Sequence, residues 1–337
     1  LLEILTLLDH HTNADELSNY PIIEKAVLAS FQYLFPSGYT VGFGDSNHRT
    51  IPPKNLELLT AYYQKYQRQD KALIMSGLLN ELIEKGSYQR SGRGLFEVFF
   101  YSNSLPEGAS DYKQNLTTPT FYAPNVSLFI QRIGEGEQAM MTSTVGSYGN
   151  HAHANGIAIE LFANNFALGP DMGRGVSYWH PEHVEYYSQM PAHNTVIVDG
   201  VSSYRSMRSY NPFTLNHAFP KSGQNPNFKK VTFSDVSFLE PKTRSDQQRL
   251  TAQILTNSGQ PYAVDVFRSK KVKDTVQRHE YLYHNLGQKL EFFDSGNRKV
   301  SLTKSNELGS GEELKGYQYF KNQQKATIAG DFSALFT

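Results

Sequence analysis

No cysteine occurs among the 337 residues. That excludes disulfide staples and thiolate metal sites, and it leaves the compartment open because many exported proteins also lack disulfides. Net charge is absent too, with 32 Lys and Arg balancing 32 Asp and Glu. There is no bulk electrostatic case for nucleic acid or an anionic membrane, so a polyanionic ligand would have to be held by a local cluster of Arg, Lys and His. No run of eighteen apolar residues exists, and no transmembrane helix is expected. Tryptophan occurs once, against 21 Tyr and 21 Phe; aromatic rings stack on sugars, but most are assigned to packing.

The length suffices for two domains. Leu1 to Leu8 reads as the middle of a helix, with no N-cap, initiator Met or signal peptide before it. The chain is therefore expected to be a fragment of a longer one, whose export signal would lie outside it. Residues 1–105 read as helical. Pro21 and Pro53 open amphipathic stretches, and a further helix over residues 70–85 stops at Gly86. Successive helical hairpins suit an α/α toroid or a plain bundle. Residues 106–118 read as a connector, and residues 119–337 as many short strands in an antiparallel β-sandwich. Strands are expected near 126–130, 138–144, 156–162, 195–198, 250–255, 262–268, 276–284 and 289–293. Residues 200–230 show little periodicity.

Between the Pro21 and Pro53 helices lies Gly42-Phe43-Gly44-Asp45-Ser46-Asn47-His48-Arg49. It reads as a structural Ω-loop with Asp45 bonded to its own backbone, or as a substrate-facing loop in which His48 and Arg49 touch a carboxylate.

The most informative stretch is Asn150-His151-Ala152-His153-Ala154-Asn155-Gly156, followed by an alternating apolar run. In extended geometry residues two apart share a face, so His151 and His153 are expected to converge. Asp171 follows within Gly-Pro-Asp-Met-Gly, and His193 within Ala-His-Asn-Thr-Val-Ile-Val-Asp-Gly. Two imidazoles and a carboxylate make a nitrogen/oxygen metal set and leave one histidine for chemistry. Taken singly, Asp171 suits turn capping and His193 a backbone hydrogen bond; the joint pattern raises them above that.

That joint pattern resembles the heparinase II/III-like polysaccharide lyases, most closely the alginate lyases of this architecture. The resemblance implies an N-terminal α/α toroid, a C-terminal antiparallel sandwich, and cleavage of uronate-containing glycans by β-elimination. It implies that His151 acts as a base or holds the carboxylate. The metal ligands become His153, Asp171 and His193 around Zn²⁺ or another divalent ion in a structural role, with a Lewis-acid role as the competing reading. It also places a catalytic Tyr and an Asn-His or Glu-His pair in a toroid segment ahead of residue 1.

β-Elimination needs a neutralised carboxylate, a base, and an acid for the leaving oxygen. Asn150 and His151 supply two of those residue types side by side. Arg174 is a natural carboxylate clamp. Tyr178, Trp179, Tyr204 and Arg205 are further substrate-binding candidates, while His180 and His183 read as loop residues. The resulting expectation is a secreted or periplasmic bacterial lyase acting on alginate, because no dense Arg/Lys cluster flanks the motif to meet sulfates. A heparin or heparan sulfate lyase and a non-catalytic, metal-stabilised carbohydrate-binding sandwich are the alternatives. A metal-dependent hydrolase would need Glu160 as base, on the opposite strand parity from His151 and His153.

Overall fold

The computed structural model describes residues 1–90, 94–107, 116–272, 277–309 and 313–337. Most of the expected connector, residues 108–115, lies outside them. The chain divides into two units. One joins residues 1–34 to 49–118 and the other joins 35–48 to 119–337. The loop between the Pro21 and Pro53 helices therefore belongs with the strands, which no single cut near residue 105 anticipates.

The first unit carries helices α1 (Leu2–Thr12), α2 (Glu16–Asn19), α3 (Pro21–Ala29), α4 (Pro53–Lys65), α5 (Gln69–Glu84) and α6 (Leu95–Phe100). Asn13, in the left-handed region, ends α1 by returning its N–H to the Asp9 carbonyl. Proline opens α3 and α4, where a missing N–H leaves nothing unpaired. Leu17, Leu58, Leu59, Tyr63 and Leu79 are fully or almost fully buried in its core. Tyrosine hydroxyls dock α2 on α4: Tyr62 accepts from the Leu17 N–H at 2.7 Å and Tyr66 from the Asp15 N–H at 2.9 Å.

The second unit is built of antiparallel strands: β1 (Thr120–Ala123), β2 (Leu128–Ile133), β3 (Met140–Val145), β4 (Ser147–Asn150), β5 (Ala158–Ala163), β6 (Phe166–Gly169), β7 (Val196–Val198), β8 (Arg208–Asn211), β9 (Thr214–Phe219), β10 (Val231–Leu239), β11 (Ser245–Leu255), β12 (Pro261–Lys271) and β13 (His279–Tyr281). Among the described residues one sheet runs β1-β2-β3-β5-β6 and another β12-β11-β10-β9. β4 pairs with β8, and β7 with β13. The stretch from 200 to 230, aperiodic by sequence, contains β8 and β9. Their outward residues are mixed, so no alternation marks them.

The two larger sheets face each other through polar side chains. On β11 the buried residues are Ser245, Gln247, Arg249, Thr251 and Gln253, while Leu250 on the other face is 36% exposed. The Gln131 side chain on β2 donates to Ser234 on β10 and Thr251 on β11, at 3.1 and 2.6 Å. Gln253 on β11 donates to Thr142 on β3 at 3.1 Å. A buried amide must be bonded to be tolerated, and the amide nitrogens of Gln131 and Gln253 meet partners across the interface. Phe129, Ile157, Phe213, Val236 and Phe238 supply an apolar cluster beside them.

Arg249 is the largest of these buried groups. Its Nη1 donates to the carbonyls of Ile157 and Asn194, both at 2.7 Å. Its Nε and Nη2 grip both oxygens of Asp265 at 2.8 Å, and Nη2 also reaches the Tyr281 hydroxyl at 2.9 Å. Arg249→Ala would strip the Ile157 carbonyl of its bond and leave the Asn194 carbonyl only the Ile159 N–H and the Asp265 carboxylate only the Tyr281 hydroxyl, a loss of about 3 kcal/mol. Urea denaturation is expected to show that drop, and Arg249→Lys to recover little of it, because an ammonium cannot fill a planar fork.

Candidate active site

The 35–48 segment lies against the strand that follows the histidine motif. Phe35 stacks on Phe162 with ring centroids 5.3 Å apart, and the Gly42 N–H donates to Glu160 at 2.8 Å. The glycines here are required by contact. A Cβ on Gly42 would stand 2.6 Å from the Asp171 Cβ, and one on Gly44, at φ +57°, 2.2 Å from the His151 carbonyl oxygen. The Asp45 N–H then donates to that carbonyl at 2.9 Å.

His151 adopts φ +59°, the left-handed region that non-glycine residues enter rarely. Its N–H donates to the Met207 carbonyl at 2.7 Å, so the backbone is held from both sides. The left-handed turn breaks the strand alternation. The expected convergence of His151 and His153 is thereby overturned: the His151 side chain is 61% exposed, whereas His153 is fully buried.

The His151 Nδ1 lies 2.7 Å from Asp45 Oδ2, and the Tyr178 hydroxyl donates to the same oxygen at 2.5 Å. The rings of His151 and Tyr178 are 5.9 Å apart, and the Arg174 guanidinium lies 5.4 Å over the Tyr178 ring. Burial pushes the Asp45 carboxyl up, but the bonds from Tyr178 and His151 outweigh it and hold it below the usual carboxylate range. The Tyr178 hydroxyl is raised, chiefly by its bond to Asp45, and keeps its proton at neutral pH. An ionised Asp45 accepting from Nδ1–H leaves Nε2 as the lone-pair nitrogen of His151. The Asp45 carboxylate bonds His151 and Tyr178 across the unit; its reach to a histidine 106 residues later carries no sequence signal.

Other candidates fall elsewhere. His48 bonds the Thr40 carbonyl at 2.7 Å and the Asp171 carbonyl at 3.3 Å, so it braces the loop instead of facing a substrate. Arg49 is exposed and belongs to the helical unit. Asn150 ends β4 on the surface, opposite Arg208. Trp179 is 92% exposed beside Tyr178. The Tyr204 hydroxyl accepts from the Gly156 N–H at 2.8 Å and its ring packs on Phe238, which makes it a core residue and not a sugar contact. Arg205 is exposed on the stretch before β8. Glu160 is buried and accepts from the N–H groups of Gly42 and Asp171 at 2.8 and 2.9 Å; burial, then the Asp171 charge, pushes it up to about 7. It is a brace, with no reach to solvent as a hydrolytic base.

The motif's second histidine lies in a buried cluster. His193 Nδ1 donates to Asp171 Oδ2 at 2.7 Å, and the Gly173 N–H to Asp171 Oδ1 at 2.8 Å. Burial raises the Asp171 carboxyl, but the His193 ring outweighs it and holds the group below its usual range. The His153 ring is 5.6 Å from His193 and 5.6 Å from His183. His183, which sequence reads as a loop residue, is buried in a π-helical turn over His183–Tyr187. Burial, then the neighbouring His193, lowers His153 to about 3, so it is neutral.

Both His153 nitrogens, and Nε2 of His183 and His193, have no hydrogen-bond partner among the described residues. Unpaired buried imidazole nitrogens call for one, and neutral imidazoles with a carboxylate are the donor set of a borderline divalent ion. By donor type the residues fit a metal. Among the described residues, however, no three His, Asp or Glu side chains are arranged to hold an ion. Asp171 spends one oxygen on the His193 ring and the other on its own turn.

An endo-acting ulvan lyase of Formosa agariphila is 23% identical over 352 residues, covering 95% of this chain and 42% of that protein. Two solved structures are similar over 87% of the chain: a heparan sulfate lyase of Pedobacter heparinus (13% identity, TM-score 0.46, 52% of that chain) and a heparinase III (14% identity, TM-score 0.41, 49% of that chain). The chain thus spans about half the length of the proteins it matches. Residues 117–283 match the heparinase II/III-like C-terminal family. The chain thus carries a heparinase II/III-like C-terminal domain over just under half of its length.

Proposed function

We propose that the protein of which this chain is part cleaves a uronate-containing acidic glycan by β-elimination. The observation that carries the reading is the sharing of one Asp45 oxygen by His151 and Tyr178 at an exposed position. His151 Nε2 takes the proton from C5 of the uronate, the electron pair forms the C4–C5 double bond, and the C4–O bond to the leaving sugar breaks. Tyr178, whose hydroxyl shares an Asp45 oxygen with the His151 ring, is assigned to protonate the leaving oxygen and to be reprotonated from His151. Arg174 and Asn150 are suited to hold the uronate carboxylate, which makes the C5 proton acidic.

Alginate is the substrate choice supported by the sparse basic residues around the motif, and ulvan enters through the relative. An exported protein, secreted or periplasmic, suits either polymer. His153, Asp171 and His193 are proposed to hold a divalent ion such as Zn²⁺, with His183 as a further imidazole beside them. Such an ion would supply structural cross-linking, and its ligands would fix the turn that carries His151.

Turnover read as absorbance of the unsaturated uronate, on alginate, ulvan and heparan sulfate, tests the reaction. His151→Ala is expected to lose about 10²-fold or more, and Tyr178→Phe a similar amount if it is the acid. Reducing ends without that absorbance would overturn β-elimination. For the metal, chelation is expected to lower the melting midpoint of the wild type, with Zn²⁺ restoring it, and to leave His193→Ala unmoved. A wild type indifferent to both treatments would remove the ion.

A further inference from the structure

The β4–β8 ribbon runs directly into His151 and has two unlike faces. Ser147 and Ser209 point inward and are buried. The register pairs Tyr148 with Tyr210 and Asn150 with Arg208. Residues two apart share a face in a regular strand, so Tyr210 and Arg208 stand together on the outer side, and the register sets Tyr148 and Asn150 opposite them across the ribbon. Tyr148 is 39% exposed and Tyr210 61%. Their rings meet edge to face at 5.7 Å. Arg208 Nε donates to the Tyr210 hydroxyl at 3.2 Å, and among the described residues no carboxylate pairs with its guanidinium.

Two wet aromatic rings and an arginine without a counter-ion are a poor arrangement for stability, since the apolar faces stay in water. They are a good one for a sugar bearing an anionic group: rings cover the sugar's C–H face and the guanidinium takes a carboxylate or sulfate in a fork. The Tyr148–Tyr210 pair lies about 7 Å along the ribbon from the Asn150–Arg208 pair, and the latter borders His151.

We propose that this face of the ribbon is a binding subsite for an anionic sugar unit of the glycan whose neighbouring linkage reaches His151. The proposal rests on the lyase reading for its orientation, and its test does not depend on turnover. Arg208 takes the sugar's carboxylate or sulfate, and the tyrosine pair carries the next ring along. The occupant is the acidic glycan, because the ribbon combines a positive charge, stacking surface and continuity with His151.

The test is affinity electrophoresis of the intact protein through gels containing alginate, ulvan, heparan sulfate or neutral dextran. Wild type is expected to be retarded by at least one acidic polymer and not by dextran. Alginate alone would identify a carboxylate as the anchor, and heparan sulfate alone a sulfate. Arg208→Ala and the double variant Tyr148→Ala/Tyr210→Ala are expected to weaken retardation about tenfold, the scale of one stacked or charge-assisted contact. Tyr148→Phe/Tyr210→Phe keeps the rings and is expected to bind nearly as wild type, which controls for misfolding. In turnover, KM should rise about tenfold with kcat within about threefold. Undiminished retardation in the alanine variants would overturn the subsite. So would a fall in kcat at constant KM, which would assign the ribbon to positioning His151. Absence of an unsaturated product from wild type would sink the lyase reading while the gels still judged the subsite.

Discussion

Arg249 is the point from which the order of the site can be traced. A guanidinium inside a sandwich is tolerated only when every N–H finds an acceptor, and here two of the acceptors are the carbonyls of Ile157 and Asn194. Ile157 closes the histidine motif, and Asn194 follows His193. One side chain therefore ties together the two segments that carry the buried imidazoles. Asn194 extends the tie: its amide donates to the Ile159 carbonyl at 3.0 Å, and its oxygen accepts from the His284 N–H at 2.5 Å. These bonds are directional, so they fix backbone positions that apolar packing alone would leave to slide.

The site reads as two environments made from one short motif. The left-handed residue at His151 turns the chain so that one imidazole faces water beside Asp45 and the other enters a dry cluster with His183 and His193. Burial keeps His153 neutral, whereas Asp45 stays ionised beneath His151 and Tyr178. A solvent-facing hydrogen-bonded pair and a dry set of neutral imidazoles need opposite surroundings. The turn supplies both within three residues.

Much of this was legible from the chain alone. Proline starts and a glycine stop place α3, α4 and α5 closely, because local chemistry sets helix ends. The motif names His151, His153, Asp171 and His193, and the structure brings the last three into one buried region. Three features were hidden for physical reasons. The inner face of β11 is polar, so its alternation points the wrong way. The left-handed turn at His151 defeats the period-2 rule; histidine enters the left-handed region more readily than most residues, but its type alone does not assign a positive φ to this position rather than to the next histidine. Asp45 and His183 act through contacts far apart in sequence or across a π-helical turn, where spacing rules do not reach.

The placement of residues 35–48 bears on how the protein is made. During synthesis Gly42 and Asp45 leave the ribosome more than a hundred residues before Glu160 and His151, the groups they bond. Until those partners arrive, the segment has no surface to settle on, and the helices on either side of it can form first from local contacts. Closing so long a loop is slow relative to helix formation. The acidic partner of the exposed histidine is thus among the last elements to find its place, so helical content should appear in a refolding chain well before the contact between Asp45 and His151 does.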